Sequence, residues 1–247
     1  MHRFFINPDC INGSYADIQG PTAKQITRVL RLEKGEHITL FDNTGWAYLL
    51  VIETVSGHSV TGNVVDKTFG TGNPIVPINI YQGLLKNDKF EFLLQKGTEL
   101  GVSCFMPIST QRSIPRIKKT QSQSRYTRWQ KIITEAAEQS GRPITPRLGC
   151  ISSLDEAIQS SSGIRLLAWE GNPQKRLHQV LAENRSGIEK QGVSIFIGPE
   201  GGFDNTEVKS AESMGVIPFT LGPRILRSET AGIAITSTIL FELGDFG

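Results

Sequence analysis

The chain has 247 residues, 38% of them hydrophobic, which is enough for a substantial core in one large domain or two. Its 26 basic and 24 acidic side chains nearly balance, so only the local distribution of charge can favour a nucleic-acid partner. Three scattered cysteines without CxxC spacing argue against a disulfide framework or a zinc knuckle. Without an apolar membrane span or a signal-peptide core, a soluble cytoplasmic protein is expected.

The first part of the chain has a mostly β-type pattern. Apolar runs separated by turn residues predict strands at His37–Asp42, Trp46–Val55 and Ser59–Thr68. Apolar residues at helical spacing predict one helix over Thr22–Leu32. Strands at this spacing indicate a small barrel, and Phe69–Pro74 is the clearest linker in the chain.

Beyond that linker, strands and helices alternate. We expect helices at Lys89–Leu100 and Ser124–Ser140, each ended by a following glycine. Apolar segments predict strands in PIVPINIYQG and VSCFMPI, and at Ile164–Trp169, Val193–Ile197 and Ile217–Leu221. Alternation of this kind indicates a mostly parallel sheet with helices on both faces.

Two strand–loop–helix units near the C-terminus are the most informative feature. One strand leads into Gly198–Gly202, and Asp204 followed by Glu207 predicts a capping box. The other strand leads into Gly222–Pro223 and a helix. Ligands of open α/β sheets lie outside the carboxyl ends of strands, where such loops meet. The loops therefore predict a cofactor crevice with the charged residues Glu200, Arg224, Arg227 and Glu229.

The glycine loops match neither common phosphate-binding pattern. Gly198–Gly202 lacks GxGxxG spacing and the GK[ST] of a P-loop, so we expect a ligand without a polyphosphate. A tight strand–helix connection with no ligand is the structural alternative. For the charges of the second loop, the alternative is an ion pair that serves only the fold. Charges confined beside two glycine loops favour a site.

Basic residues are concentrated in one segment. No acidic residue occurs from Val102 to Thr134, a span that contains Arg112, Arg116, Lys118, Lys119, Arg125, Arg128 and Lys131. The segment predicts a phosphate-attracting surface, to which Arg142, Arg3 and Arg28 can add. A solvated basic loop is the alternative. The four histidines lack metal-ligand spacing, so no metal is expected.

Four segments carry a family resemblance: KNDKFEFLLQKGTELGV (Lys86–Val102), AAEQSGR (Ala136–Arg142), IGPEGGF (Ile197–Phe203) and LGPRILRSETA (Leu221–Ala231). They closely resemble the RsmE family, the 16S ribosomal RNA uridine N3-methyltransferases of the SPOUT superfamily. The last two segments are specific in combination. With the N-terminal RFF and VLRLEKGE segments, the resemblance covers nearly the whole chain.

The resemblance implies an α/β fold of two domains. A PUA-like β-barrel RNA-binding domain (residues 1–70) would precede a SPOUT-type methyltransferase domain (residues 74–247) with a C-terminal trefoil knot. Knots are nearly absent among folds, so no sequence pattern predicts one. The family also implies a homodimer with sites near the subunit interface, and 16S ribosomal RNA in the small ribosomal subunit as the partner.

The resemblance further implies S-adenosyl-L-methionine, bound in a bent shape by the knotted loops. The cofactor-binding residues would be Leu167, Gly198, Glu200, Gly201, Gly202, Leu221, Gly222, Ile225, Leu226, Thr230 and Ala231. The RNA-binding residues would be Arg3, Arg28, Arg112, Arg116, Lys118, Lys119, Arg125 and Arg142.

The implied reaction is in-line displacement of the sulfonium methyl by uridine N3, which must first lose its proton. Arg227 is the candidate for stabilising the resulting anion. Glu200 or Glu229 is the candidate proton acceptor, although either residue can instead hold an arginine or the cofactor. Two rival functions remain open: a non-catalytic RNA-binding protein, and a small-molecule α/β enzyme that uses a nucleotide.

Overall fold

The chain divides into two compact units in the computed structural model. The N-terminal unit comprises Met1–Asn73 and Thr134–Thr145, and the C-terminal unit comprises Pro74–Ile133 and Pro146–Gly247. The structure describes residues 1–70, 72–86, 88–113, 119–171 and 174–246, without the side chains of residues 119–122. Within these residues, no helix is both long enough and apolar enough to cross a membrane.

A six-stranded sheet dominates the N-terminal unit. Its strands are β1 (His2–Phe5), β2 (Ile11–Asn12), β3 (Tyr15–Gln19), β4 (His37–Phe41), β5 (Trp46–Val55) and β6 (Ser59–Phe69). The three predicted strands are confirmed as β4, β5 and β6. The hydrogen-bonded order is β1-β4-β5-β6-β3-β2. Among the described residues this order does not return to its start, so the sheet is open and the predicted barrel is not confirmed.

The predicted helix at Thr22–Leu32 is replaced by two shorter segments. Helix α1 (Gly20–Lys24) continues into a π-helical turn over Gln25–Val29, where the Leu30 N–H donates to the carbonyl five residues back, at 3.0 Å. Ile26 is fully buried in the core of the sheet. Apolar spacing locates the buried face but does not distinguish an α-turn from the wider π-turn.

A second sheet forms the centre of the C-terminal unit. Its strands are β7 (Ile78–Gly83), β8 (Cys104–Ser109), β9 (Arg147–Leu148), β10 (Ser152–Ser153), β11 (Ile164–Ala168), β12 (Val193–Ile197) and β13 (Ile217–Phe219). Their order is β10-β8-β7-β12-β11-β13, with β9 also paired to β8. Every pairing between these strands is parallel, which confirms the predicted sheet type.

Helices cover both faces of this sheet, as predicted. They are α2 (Lys89–Leu100), α3 (Lys119–Ser140), α4 (Leu154–Ser160), α5 (Leu177–Gln191), α6 (Asn205–Ser213) and α7 (Ser228–Glu242). Residues of α2, α5 and α7 belong to one buried apolar cluster, and residues of α4 and α6 belong to another. Along β12, Ile195 contributes to the first cluster and Phe196 to the second, because successive side chains of a strand point to opposite faces.

The parallel arrangement brings four loops to one edge of the sheet. β12 lies between β7 and β11, and β11 also pairs with β13, so the carboxyl ends of all four strands lie side by side. The predicted capping box begins the helix after β12: the Asp204 side chain accepts from the Thr206 N–H, and Glu207 accepts from the Asp204 N–H at 2.8 Å. The loop between β12 and α6 is therefore fixed at both ends.

Candidate functional site

A cavity of about 1050 Å³ opens at the carboxyl ends of β11, β12 and β13. Ten of the residues predicted to bind cofactor or to act in catalysis line it: Gly198, Glu200, Gly202, Leu221, Gly222, Ile225, Leu226, Arg227, Glu229 and Ala231. The two glycine loops therefore lie on the same cavity, although their sequences are separated by the whole of α6 and β13.

Three predicted cofactor residues lie outside the cavity lining. Leu167 is 1% exposed and belongs to the apolar cluster under α4 and α6, whereas its neighbour Ala168 lines the cavity. The period-two alternation of a strand explains this difference. Thr230 is exposed, between the lining residues Glu229 and Ala231 of helix α7. Gly201 instead contacts the basic segment, because its carbonyl accepts a hydrogen bond from the Arg112 guanidinium at 3.1 Å.

The Gly198–Gly202 loop fits closely against the end of β7. A Cβ added to Gly83 would lie 2.5 Å from the backbone nitrogen of Pro199, which is closer than real Cβ atoms come. Gly202 has φ +68°, a backbone conformation that glycine adopts without strain. These positions allow the loop to fold back on the strand and present its backbone to the cavity.

A buried hydrogen-bond network holds the two glycine loops together. The Gln82 side-chain amide at the end of β7 donates to the Gly198 carbonyl at 3.1 Å and to the Ser228 hydroxyl at 2.8 Å. The Ser228 hydroxyl in turn donates to the Gly198 carbonyl. One strand end, one loop and the first residue of α7 are thus joined at a single point.

Glu200 is held as an ion-paired carboxylate. It accepts from the Lys89 ammonium at 3.0 Å and from the Lys86 backbone N–H at 3.1 Å. Burial alone would raise the pKa of Glu200, but the hydrogen bonds from Lys89 and Lys86 outweigh burial and lower this pKa below its ordinary value. Glu200 pairs with Lys89 rather than with Arg227, and its lowered pKa makes it a weak base.

The second loop places its charged residues in different environments. Arg227 precedes the first residue of α7 with extended backbone, is exposed and lines the cavity. Arg224 is also exposed there. Glu229, one residue into the helix, is 8% exposed, and its Oε2 has no hydrogen-bond partner among the described residues. The sequence analysis considered an Arg–Glu ion pair that serves only the fold. Oε2 of Glu229 does not form such a pair with any described residue.

A third side of the cavity combines a loop that the family resemblance implied, the one after Ile164–Trp169, with the start of α5, which the sequence prediction missed. Trp169 and Glu170 follow β11, and Arg176 and Gln179 lie at the start of α5. This wall is held by backbone hydrogen bonds, from Thr220 N–H to the Lys175 carbonyl at 3.0 Å and from Leu177 N–H to the Thr220 carbonyl at 3.1 Å. The strand before Trp169 was a usable signal for the first pair, whereas no local pattern indicated Arg176.

The basic segment is partly tied to the cavity loops. Arg112 donates to the Asp204 carboxylate at 3.0 Å as well as to the Gly201 carbonyl, so part of its charge is neutralised. Arg125 and Arg128 on α3 are exposed, with Arg128 paired to Glu91 at 2.6 Å. Arg116 and Lys118 lie outside the described residues. Lys119 begins α3, and its side chain is likewise outside the description.

The predicted RNA-binding arginines of the N-terminal unit differ in exposure. Arg28 is exposed, and Arg3 is half-buried with its guanidinium donating to the Gln139 carbonyl at 3.0 Å. Arg142 is 4% exposed, and burial lowers the pKa of Arg142 to about 10. The predicted phosphate contact of Arg142 is therefore corrected: its guanidinium is packed inside the unit and not available at the surface. Across the described residues, no group of three or more potential metal ligands is found.

Known proteins resemble this chain over nearly its full length. A family model described as RNA methyltransferase domain matches residues 71–240. The ribosomal RNA small subunit methyltransferase E of Bacillus subtilis (strain 168) is 32% identical, over 98% of this chain and 97% of that protein. The protein of the same name from Aquifex aeolicus (strain VF5) is 29% identical, over 86% of this chain and 89% of its own length.

Solved structures show the same similarity. The ribosomal RNA small subunit methyltransferase E from Neisseria gonorrhoeae, bound to S-adenosyl methionine, aligns with a TM-score of 0.87 at 29% identity, covering 98% of each chain. A putative methyltransferase from Legionella pneumophila, in complex with the bound cofactor SAM, aligns with a TM-score of 0.86 at 27% identity, covering 97% of each chain.

Proposed function

Because the chain belongs to the family of ribosomal RNA small subunit methyltransferase E, we propose that it is the S-adenosylmethionine-dependent enzyme that methylates N3 of a uridine in 16S ribosomal RNA. The observation that carries this proposal is the single cavity formed by both glycine loops at the carboxyl edge of the sheet. A purely RNA-binding protein would not need that cavity. A nucleotide-dependent enzyme would need a phosphate-binding loop, and neither glycine loop has that pattern.

The cavity residues fit S-adenosylmethionine, a compact ligand with a flat aromatic adenine and a charged amino-acid end. Its wall combines the apolar side chains of Ile197, Leu221 and Leu226 with the backbone of both glycine loops. Charged groups, including Glu229 and Arg227, also line it. When bound, the cofactor supplies an activated methyl group. The volume of about 1050 Å³ is at the upper end of small-molecule pockets, which leaves space for a target base.

The protein residues have two tasks in this reaction. They must hold the uracil ring in line with the methyl group, a proximity effect of up to about 7–11 kcal/mol. They must also favour the N3-deprotonated uracil, whose negative charge is shared by N3 and the two carbonyl oxygens. Arg227 is exposed and lines the cavity, which supports its guanidinium as the group for that electrostatic task. The target base must leave any stack to enter the cavity.

The activity is tested with 16S ribosomal RNA presented in small ribosomal subunits from cells that lack this gene. Incubation of the purified protein with S-adenosylmethionine and this RNA should add one methyl group to one uridine of 16S RNA, detected by mass spectrometry. The cofactor alone should stabilise the protein, by about 2.7 kcal/mol at about 100 times its Kd. A protein that neither gains stability nor methylates the RNA would contradict the proposal.

Arg227→Ala should lower methyl transfer by about two orders of magnitude, or about 3 kcal/mol of activation free energy. The reason is the loss of a cation beside the developing uracil anion, so kcat should fall while cofactor affinity changes little. Single-turnover kinetics and calorimetry measure the two quantities. Arg185→Ala is the matched control, because Arg185 is an exposed arginine of α5 that pairs with Glu189. Full activity of Arg227→Ala would remove the residue from the mechanism.

RNA binding is proposed for the basic segment together with the N-terminal unit. Exposed Arg125 on α3 and exposed Arg28 support phosphate contacts. Sequence alone supports Arg116, Lys118 and Lys119. Arg112 retains half of its side-chain exposure despite its ion pair, so it remains a candidate. Assembled small subunits are the proposed substrate, and the cytoplasm is the proposed location because ribosomal RNA is there.

Replacing Arg116, Lys118 and Lys119 together by Gln should weaken RNA binding and make its salt dependence shallower. For every phosphate that is no longer neutralised, the slope of log K against log salt should fall in magnitude by about 0.7–0.9. Binding measured at several salt concentrations gives the slope, and cofactor affinity serves as the internal control. An unaltered slope would mean that the segment is solvated and does not touch RNA.

A homodimer is proposed from the apolar character of α7. Its outer end exposes Phe241 (68%), and α2, which packs on α7, exposes Phe92 (47%). Light scattering should report two chains per particle, and Phe241→Glu should shift the mass toward one chain. Glu242→Gln, at the neighbouring exposed position, is the control that should leave the dimer intact. A monomeric wild-type protein with full activity would contradict the proposal.

We also propose the finer fold that the family resemblance implies, a PUA-like N-terminal domain and a SPOUT-type knot in the C-terminal domain. Helix α7 supports the second part, because it packs against α2, α5, β7 and β12 after the chain has completed β13. An experimental chain trace through residues 197–242 tests whether this segment threads through a loop.

A further inference from the structure

Glu229 is a buried carboxylate whose hydrogen-bonding capacity is not filled by the protein. It lies in the first turn of α7, 8% exposed, on the wall of the cavity. Its Oε2 is fully buried without a partner among the described residues. Leaving a buried polar atom unsatisfied costs about 1–3 kcal/mol, and more for a charged group. A group kept at that cost at a binding cavity indicates a donor that arrives with a ligand.

The other acidic groups at the cavity differ from Glu229. Glu200 already accepts two hydrogen bonds, one of them from an ammonium. Glu170 follows β11 and lines the wall formed by that loop. The cationic groups that face the same cavity are Lys89 of α2, Arg176 before α5, and Arg224 and Arg227 of the second glycine loop. Of the two carboxylates that the sequence left open as proton acceptors, Glu229 is the one with a buried oxygen that has no partner among the described residues.

The position of Glu229 on the helix also suits a carboxylate. The N-terminal turn of the 15-residue helix α7 stabilises negative charge, and Glu229 lies in that turn. The adjacent Ser228 hydroxyl is engaged with the Gly198 carbonyl, so the helix start is fixed, while Oε2 of Glu229 lacks a partner among the described residues.

We propose that Glu229 is a catalytic residue that accepts the N3 proton of the target uridine; this inference rests on the proposed function. The N3–H bond breaks with its proton moving to Oε2 of Glu229. The nitrogen electron pair forms the new N–C bond to the methyl group, and the S–C bond breaks with its electron pair remaining on sulfur. The products are N3-methyluridine, S-adenosylhomocysteine and protonated Glu229, which returns its proton to water.

The alternative donor for the same oxygen is on the cofactor, either its ammonium group or a ribose hydroxyl. Both donors would satisfy Oε2, but they have different consequences. A hydrogen bond to the cofactor is made in the ground state, so removing it weakens cofactor binding. Proton transfer occurs only in the reaction, so removing it lowers kcat and leaves binding of S-adenosylhomocysteine unchanged.

The test is Glu229→Gln, which keeps the size of the side chain and removes the basic oxygen. We expect kcat to fall about 10²- to 10⁴-fold, the usual contribution of general acid–base catalysis. The variant should become faster with rising pH, because the uracil then loses its N3 proton to solvent. Its affinity for S-adenosylhomocysteine by calorimetry should match that of the wild type.

A second readout changes the substrate instead of the protein. RNA made with 5-fluorouridine has a more acidic N3–H and needs less help from a base. This RNA should therefore restore much of the activity of Glu229→Gln relative to the wild type in parallel assays. Glu229→Asp, which retains a carboxylate, should keep more activity than Glu229→Gln. The ligand-free melting temperature of Glu229→Gln should not decrease, because the substitution removes no protein hydrogen bond to Oε2.

The controls separate failure of this inference from failure of the proposed function. Glu242→Gln removes an exposed carboxylate from the other end of α7 and should behave as the wild type. Wild-type kcat in Glu229→Gln, or loss of S-adenosylhomocysteine binding in that variant, would overturn the catalytic assignment while leaving the methyltransferase intact. A wild-type protein that does not methylate 16S RNA would instead contradict the proposed function.

Discussion

The carbonyl of Gly198 is the point on which the site depends. It accepts from the Gln82 amide, 116 residues earlier, and from the Ser228 hydroxyl, 30 residues later. Buried polar groups must be paired, so three chain segments are drawn to one place. The missing side chain of Gly83 allows the approach, because any Cβ there would collide with Pro199. The cavity and the start of α7 take their positions from this junction.

Once this junction is fixed, two carboxylates on the same cavity acquire opposite properties. Glu200 faces Lys89 and backbone N–H groups and is kept ionised as a structural acceptor. Glu229 sits on a helix that begins at the junction, and one of its oxygens is unsatisfied within the part of the chain that the structure describes. Residue type alone does not distinguish them. Long-range packing decides which carboxylate holds the loop and which is available to a ligand.

Local features were predictable from sequence, and long-range features were not. The helix Lys89–Leu100, the strand Val193–Ile197 and the Asp204–Glu207 capping box follow from periodicity and short-range hydrogen bonding. The pairing of Lys89 with Glu200 depends on β7 lying beside β12, an order that no local pattern contains. The same holds for Arg112, whose basic character suggested RNA but whose side chain also joins the Gly201 loop to Asp204. Arg142 is the plainest case in which sequence prediction failed. Its charged side chain predicted a surface position, but packing buries that side chain.

The order of residues around the cavity has a consequence for protein synthesis. Apart from Lys89, every described residue of the wall lies at or after Ala168. A chain that leaves the ribosome N-terminus first can form its N-terminal sheet early, since β1 to β6 are complete by Phe69. The cavity cannot exist until Ser228 and the following turn of α7 have emerged. Ligand binding in this cavity therefore cannot assist the early steps of folding, and a chain truncated before α7 would retain much of its sheet without the complete cavity.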